Sequence, residues 1–244
     1  MSRWARQASP SVSAVRAGIV GRHIESLERR AKFLVFGLND GGRMLVHLRM
    51  SGRFELAAER PESDAPRHVR AIWLLDDGQR LLFCDARKFG RIVFAPAGAS
   101  PLDGLGIEPL SRDFTPERLR SLLSASRRPI KPLLLDQSVI AGIGNIYADE
   151  SLHRAGIHPL RAALSLEPHK VQALHSAIRA VLREAIRRNG TSFDWIYPSG
   201  GMQHYLRVYG RTGEACGVCG GAIVALRVGQ RGTHICPNCQ PAET

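Results

Sequence analysis

The sequence predicts an α+β protein with three parts: an N-terminal β-sandwich-like domain, a helical domain and a C-terminal hairpin carrying four cysteines. Three observations support this prediction. Short apolar segments separated by turn sequences dominate the first hundred residues. The apolar pattern becomes helical after about residue 115. Two Cys-x-x-Cys pairs occur between residues 216 and 239. The predicted domains cover residues 1–104, 105–205 and 206–244.

The first domain is predicted as strands joined by tight turns. Residues 39–42, Asn-Asp-Gly-Gly, are a strong hairpin signal, because these residue types accept the left-handed conformation that such turns need. Residues 1–20 show no clear pattern, and residues 59–67 read as a polar loop. The predicted strands are residues 28–38, 43–50, 53–57, 68–75, 79–84 and 91–94.

The second domain is predicted to be helical. Thr115 followed by Pro116 indicates a helix start, with a capping hydroxyl and then a proline at the first helical position. Ser165 is expected to cap a longer amphipathic helix that ends before Asn189-Gly190. The predicted helices cover residues 115–126, 129–139, 145–155 and 165–188.

The composition indicates an intracellular protein with a polyanionic partner. The formal net charge is +12, which favours nucleic acid as the partner, although a basic solvated surface without a partner would give the same number. No apolar run reaches membrane-spanning length, and no signal-peptide core is present. Four of the five cysteines lie in the hairpin, and Cys84 stands alone, which suits a reducing cytoplasm.

The four hairpin cysteines are expected to bind one structural Zn²⁺. Each Cys-x-x-Cys pair would provide two thiolates, and the two pairs together would complete the tetrahedral shell that zinc prefers. The alternatives are two disulfides or buried thiols. The predicted ligands are Cys216, Cys219, Cys236 and Cys239.

The glycine turn at residues 142–145 suggests a phosphate site. Two glycines allow close approach of another chain, and the helix that follows offers free N–H groups to an anion. Arg127, Arg128 and Lys131 add positive charge near this turn. A tight helix–helix connection without a ligand explains the same residues equally well.

Met50, Arg87 and Phe89 lie at the ends of predicted strands. Exposed apolar side chains beside a cation suit insertion between base pairs. From spacing alone, however, Met50 and Phe89 are more often core residues, and Lys32 is by default a solvated surface lysine.

The motifs, taken as an ordered set, resemble the formamidopyrimidine-DNA glycosylase family. The resemblance covers about residues 22–240 and is highly specific, since chance would not supply all motifs in order. The matching stretches are Arg29-Arg-Ala-Lys32-Phe-Leu, His47-Leu-Arg-Met50-Ser-Gly, Asp85-Ala-Arg87-Lys88-Phe89-Gly, Leu105-Gly-Ile-Glu108-Pro-Leu, Ile130-Lys-Pro, Gly142-Ile-Gly-Asn145-Ile-Tyr-Ala, Ala155-Gly-Ile-His158-Pro, Val208-Tyr-Gly-Arg211 and Gln230-Arg231-Gly-Thr233.

The resemblance implies an N-terminal β-sandwich, a helix–two-turn–helix DNA-binding domain and a zinc hairpin. It implies a monomer that binds damaged double-stranded DNA in the cytoplasm, at the nucleoid if bacterial, with no membrane association. Residues 191–205 would form the mobile loop that closes over the extruded base. The implied DNA-binding residues are Met50, His68, Arg87, Phe89, Arg127, Arg128 and Asn145, and the implied catalytic residues are Lys32 and Arg231.

The implied activity is excision of oxidised purines, such as 8-oxoguanine and formamidopyrimidines, followed by strand cleavage through a Schiff base and β,δ-elimination. In the family the nucleophile is an N-terminal proline followed by glutamate, and this sequence begins Met1-Ser2-Arg3-Trp4. The expectation is that the opening strand and helix of the family pattern are missing, which would reduce stability. A catalytically inert protein that binds damaged DNA is therefore the alternative, and a zinc-ribbon protein acting on RNA or in transcription is a more distant one.

Overall fold

A computed structural model describes residues 8–58, 67–192 and 200–242. The predicted loop at residues 59–67 thus lies largely outside the described residues, as do residues 193–199 of the predicted loop at 191–205, in which Met202–Tyr205 form a short 3-10 helix. The chain forms two compact units, residues 1–103 and 104–244. The first unit is a sheet structure, and the second contains the longer helices and the cysteine hairpin. The fold is α+β, as predicted.

In the part of the first unit that the structure describes, residues 8–58 and 67–103, there are one helix and two β-sheets. The helix α1 is Val12–Ile19. The strands are β1 (Ala8–Ser9), β2 (Ile24–Arg30), β3 (Phe33–Leu38), β4 (Arg43–His47), β5 (Gly52–Ala57), β6 (Val69–Leu74), β7 (Arg80–Asp85) and β8 (Arg91–Ala95). One sheet has the order β1-β8-β4-β3-β2, and the other has the order β5-β7-β6. All strand pairs are antiparallel except β1 with β8.

The core of this unit joins both sheets and α1. Met44 and Val46 of β4 and Phe83 of β7 are fully buried, and Val15 and Ile19 of α1 pack in the same cluster. Burying such side chains stabilises a fold by roughly 1.5–3 kcal/mol each relative to exposure. The predicted β-sandwich-like arrangement is therefore confirmed.

Two sequence predictions in this unit are wrong. The segment 28–38 is not one strand, because the chain reverses between β2 and β3, where Ala31 adopts a left-handed φ of 52°. Helix α1 was not predicted; its N-cap Ser11 accepts a hydrogen bond from the Ala14 amide at 3.1 Å. A helix of eight residues carries too few apolar positions to show a period.

The described residues of the second unit form four α-helices: α2 (Pro116–Ser124), α3 (Ile130–Leu135), α4 (Asn145–Ala155) and α5 (Pro168–Arg187). Helix α3 ends earlier than predicted, because the Asp136 carboxylate accepts bonds from the amide and hydroxyl of Ser138 at 3.0 and 2.6 Å. Helix α5 begins at Pro168 and not at Ser165, which lies in a short 3-10 helix. The core of the unit is built by Leu119, Leu134, Ile140, Leu152, Leu174 and Ile178.

The C-terminal hairpin pairs β9 (Val224–Val228) with β10 (Arg231–Ile235). Gly229 and Gln230 form its turn with φ values of 53° and 61°, which is typical of a tight two-residue hairpin turn. Arg231 is therefore the first residue of β10, opposite Val228. Within the described ranges, no helix combines the length and apolar character needed to cross a membrane.

Candidate nucleic-acid interface and metal centre

The four cysteine Sγ atoms of the hairpin lie within 4.8 Å of one another. The Cys219–Cys236 and Cys216–Cys239 sulfur pairs are 3.4 and 3.8 Å apart, too far for the roughly 2.05 Å of a disulfide. Four sulfurs about 2.3 Å from one Zn²⁺ in a tetrahedron would stand close to these distances. The donor set thus fits one tetrahedral Zn²⁺, and the disulfide alternative is wrong.

Neighbouring donors favour the thiolate form of Cys216. Its Sγ lies 3.5 Å from the Val218 amide and 3.5 Å from Nε2 of the buried His153. Burial acts to raise the pKa of Cys216, but hydrogen bonds from the amides of Val218 and Cys219, with His153, bring it down to about 6. A thiolate is the form that ligates a metal.

A buried ion pair holds the hairpin against the helices. The Lys131 ammonium lies 2.6 Å from the Asp149 carboxylate, and both side chains are fully buried. The ammonium also donates to Thr233 Oγ1 at 2.7 Å and to the Gly232 carbonyl at 3.0 Å. Burial lowers the pKa of Lys131 and raises that of Asp149, while each charge opposes the shift of the other. Lys131 is therefore a structural anchor and does not add to the basic surface, contrary to the sequence interpretation.

A second buried carboxylate anchors the segment that leads into the hairpin. Glu150 of α4 accepts hydrogen bonds from the backbone amides of Arg207, Val208 and Tyr209 at 2.8, 3.0 and 3.0 Å. These contacts engage both carboxylate oxygens. The orientation of β9 and β10 within the second unit is thereby set by two adjacent acidic residues of one helix.

The turn before α4 is braced by Gln137. Its side-chain oxygen accepts from the Gly142 amide at 2.9 Å, and its amide group donates to the Ile143 carbonyl at 3.0 Å. Gly142 has a φ of 97°, which requires glycine. Helix α4 begins at Asn145 without a side-chain cap, so no described side chain accepts its first N–H groups, an arrangement suited to an anion.

Asn145 itself contacts the hairpin. Its Nδ2 donates to the Gly232 carbonyl at 2.9 Å, so the start of α4 and Lys131 share one acceptor on β10. Arg231, next to this carbonyl, is exposed, and its guanidinium forms no hydrogen bond or salt bridge with any described residue. The second unit therefore places an available cation beside the uncapped helix start.

The remaining predicted cations of this unit are exposed on the chain between α2 and α3. Arg128 forms a salt bridge with Asp136 at 2.8 Å, which fixes its side chain at the start of the turn region. Arg127 has no hydrogen bond or ion pair with the described residues. Their assignment to DNA phosphates stays a prediction.

In the first unit, Met50 and Phe89 are surface residues. Met50 is 60% exposed and Phe89 is 48% exposed, so the core alternative is wrong for both. The exposed Arg87 stacks on Phe89, with its guanidinium carbon 5.3 Å from the ring centroid. Large exposed apolar side chains next to a cation are the arrangement expected of a base-stack wedge.

Lys32 is half-buried at the turn between β2 and β3, near His47 at the end of β4. Burial lowers the pKa of His47 to about 4, and the charges of Arg49 and Lys32 add to this effect. The His47 ring is therefore neutral at pH 7, and its Nδ1 accepts from the Arg49 amide at 3.0 Å. His68 is exposed, with a φ of 69°. The positive charges of Arg49, Lys32 and Arg91 thus act on His47 in the same direction as burial.

Sequence reasoning missed the buried polar residues that support these sites. Asp85, Lys131, Asp149 and Glu150 are at most 2% exposed, although charged residues are rarely buried. A signal existed for Asp149 and Glu150, since two acidic residues interrupt a helix packed on both sides. The backbone amides that they bind, those of residues 207–209 and 234, lie 57 to 85 positions away in the chain and could not be inferred from it.

Comparisons with known families match most of the chain. Residues 2–92 match the formamidopyrimidine-DNA glycosylase N-terminal domain, and residues 105–195 match the formamidopyrimidine-DNA glycosylase H2TH domain. Residues 213–242 match a zinc finger found in FPG and IleRS.

Individual relatives agree with these matches. Formamidopyrimidine-DNA glycosylase of Chloroflexus aurantiacus is 46% identical over 243 residues, which span 97% of this chain and 87% of the relative. The Roseiflexus enzyme of the same name is 45% identical over 244 residues, with coverage of 97% and 89%.

Solved structures show the same fold. Lactococcus lactis Fpg in complex with DNA containing an abasic site gives a TM-score of 0.88 at 34% identity, covering 99% of this chain and 91% of that one. The MutM (FPG) protein of Thermus thermophilus gives a TM-score of 0.84 at 37% identity, covering 100% and 91%.

Proposed function

Because the chain belongs to the formamidopyrimidine-DNA glycosylase family, we propose that it excises oxidised purines from damaged duplex DNA in base-excision repair. The observation that supports this proposal most is that exposed side chains of the kinds that bind DNA lie at the positions where the family resemblance predicts them. Met50, Arg87, Phe89 and Arg231 are exposed, and helix α4 begins without a side-chain cap directly after the glycine turn. The catalytically inert alternative is not favoured, since the relatives are named as glycosylases.

The zinc is structural. Four cysteine ligands fill a tetrahedral shell and leave no position at which water could be activated. When bound, the metal supplies the rigidity that a short two-stranded hairpin lacks on its own. Arg231, which would bind DNA, is therefore held in place by the hairpin, and the metal takes no part in the reaction.

The second unit is proposed to bind phosphates. The free N–H groups at the start of α4 carry the positive end of a helix dipole, and Arg231 adds a full positive charge beside them. We propose that Arg231 grips the phosphates around the lesion and assists elimination, with Arg127, Arg128 and Asn145 as neighbouring contacts. A monomer acting at the nucleoid in the cytoplasm fits a DNA substrate together with reduced cysteines.

The first unit is proposed to fill the gap left by the extruded nucleotide. Met50 and Phe89 would insert their apolar side chains, and Arg87 would take up the hydrogen bonds of the orphaned base. Lys32 is proposed to lie beside the damaged nucleotide, and His68 to contact a phosphate. Residues 193–199 of the loop proposed to close over the base are outside the described residues.

Strand cleavage through a Schiff base requires an unacylated amine that attacks the sugar C1′. The proposal is tested by incubating the protein with duplex DNA containing one 8-oxoguanine in the presence of borohydride. We expect release of the base and a reduced covalent protein–DNA adduct. Proteolysis and mass spectrometry of the adduct then identify the amine that forms it.

Two further proteins make this experiment decisive. Lys32→Met is expected to retain the adduct and to lose excision rate, because Lys32 is proposed to act near the nucleotide and not as the nucleophile. A form extended by the codons upstream of Met1 is compared in parallel, and an adduct from the extended form alone would locate the amine there. Tight lesion binding without excision or adduct from either form would instead support the inert DNA-binding protein.

Truncating the wedge should reduce lesion recognition without unfolding the protein. For Met50→Ala and Phe89→Ala, we expect the ratio of lesion to undamaged-duplex affinity to fall about tenfold or more each, since filling an unstacked step is worth a few kcal/mol. Fluorescence anisotropy with matched duplexes measures this ratio. The matched control is Leu74→Ala, an apolar side chain that is 76% exposed on β6, for which the ratio should not change.

A further inference from the structure

The carboxylate of Asp85 is fully buried at the end of β7, directly before the loop that carries Arg87 and Phe89. One carboxylate oxygen accepts from the Gly90 amide at 2.8 Å. The other accepts a short hydrogen bond from the hydroxyl of Ser51, which is also fully buried. Both oxygens of Asp85 are thus bonded to loop residues.

Ser51 extends this contact to the second loop. It follows Met50 directly, and its Oγ accepts from the Arg87 amide at 3.1 Å while its hydroxyl hydrogen goes to Asp85. Two of these hydrogen bonds, Ser51 to Asp85 and Arg87 to Ser51, therefore connect the loop that bears Met50 with the loop that bears Arg87 and Phe89, and the bond from Gly90 to Asp85 closes the second loop on itself. We call Ser51 and Asp85 together the loop brace.

Burying the Asp85 carboxylate of the loop brace costs free energy of folding. Asp85 forms no salt bridge with the described residues, and the ring of the core residue Phe83 lies against it: a Cβ on Gly90 would stand 2.6 Å from Phe83 and 3.1 Å from the Asp85 carboxylate. Burying a carboxylate without a cation is unfavourable unless hydrogen bonds compensate. An apolar side chain would fill the same position at lower cost, so the carboxylate is explained by the loop geometry that it imposes.

The backbone conformation of the two loops indicates that surrounding contacts impose their geometry. Arg49 has a φ of 56° and Lys88 a φ of 58°, so a non-glycine residue immediately before Met50 and another immediately before Phe89 are left-handed. Such conformations cost of order 1–3 kcal/mol and persist only where surrounding contacts over-determine them. The two strained residues lie in the two loops that the brace joins.

From these contacts we infer that Asp85 and Ser51 are positioning residues, which hold Met50, Arg87 and Phe89 exposed in the arrangement that enters the DNA gap. Neither residue touches DNA in this inference, since both are fully buried. The inference rests on the wedge role proposed above for the three exposed side chains. It assigns lesion recognition to a pre-organised pair of loops and not to the exposed side chains alone.

The test uses Ser51→Ala and Asp85→Asn in the full-length zinc-bound protein. Asparagine cannot accept from both donors at once, and alanine removes the hydroxyl that joins the loops. We expect either variant to lower the ratio of lesion to undamaged-duplex affinity by about tenfold, as the loss of one or two buried hydrogen bonds predicts. Affinity for undamaged duplex should change less than about twofold, because contacts to phosphates determine this non-specific affinity.

A destabilised control variant distinguishes an effect on loop position from an effect on the stability of the fold. Val35→Ala removes buried apolar contact on β3, away from both loops, and should lower the melting temperature without changing the affinity ratio. If Asp85→Asn does not fold, Ser51→Ala carries the test, since it deletes one hydroxyl only. An unchanged ratio in folded Ser51→Ala overturns the inference.

The Met50→Ala and Phe89→Ala variants distinguish a failure of the wedge role from a failure of the positioning role. If Met50→Ala and Phe89→Ala lower the ratio but the brace variants do not, the wedge role stands and the positioning role fails. If the wedge variants themselves have no effect, the proposed wedge role fails and the brace inference fails with it.

Discussion

Removal of zinc is expected to unfold the C-terminal hairpin and to abolish specific DNA binding. Structural zinc contributes roughly 10–16 kcal/mol in apparent binding free energy, which is more than the total stability of most domains. The hairpin core is small, with Val208, Ile223 and two of the cysteines as its buried members. Without the metal, this cluster cannot hold β9 and β10 together.

The experiment replaces Cys236 with serine and, separately, extracts the metal with a strong chelator under reducing conditions. Zinc release is counted with a colorimetric indicator and should reach one ion per chain. Hydrogen exchange should show loss of protection in β9 and β10, and lesion affinity should fall because Arg231 is no longer held beside the start of α4.

Cys84→Ala is the matched control, because Cys84 is a fully buried cysteine in the first unit and outside the metal cluster. It should keep one zinc and normal hairpin protection. Retention of lesion affinity by a zinc-free, folded hairpin would contradict the structural role.

Regular patterns explain which parts of the fold could be predicted. The turn residues Asn39 to Gly42, the Thr115–Pro116 helix start and the cysteine spacing each act locally, so sequence alone places the turn between β3 and β4, helix α2 and the metal site. The reversal at Ala31 could not be predicted in this way, because alanine does not favour the left-handed conformation that the structure imposes there.

The candidate site likewise has one part that could be predicted from the sequence and one part that could not. Exposed groups such as Arg87 and Arg231 stand out in the sequence because their motifs resemble a family. The groups that hold them, Asp85 and Lys131, find partners 34 and more than 100 positions away, such as Ser51 and Thr233. Such long-range pairing is decided by the packed fold, and no local period or turn signal reports it.

Lys131→Met is expected to destabilise the second unit by about 3–5 kcal/mol, since it leaves the buried Asp149 carboxylate without its cation. The same change removes the donors to Gly232 and Thr233, and β10 should lose its fixed position against α4. Urea unfolding followed by circular dichroism measures the stability. Hydrogen exchange should locate the loss in α4 and β10.

A double variant tests whether the buried charge is the cause. In Lys131→Met/Asp149→Asn the charge is gone, while the side-chain carbonyl of the introduced asparagine can still accept from the His234 amide, as the Asp149 carboxylate does at 3.0 Å. We expect a coupling energy of about 2 kcal/mol in the direction of rescue. Lys170→Met is the control, because Lys170 donates only to the Gly156 carbonyl, at 3.0 Å, and its loss strands no carboxylate. A double variant that is no more stable than Lys131→Met would show that the lost contacts to β10, and not the uncompensated carboxylate, carry the destabilisation.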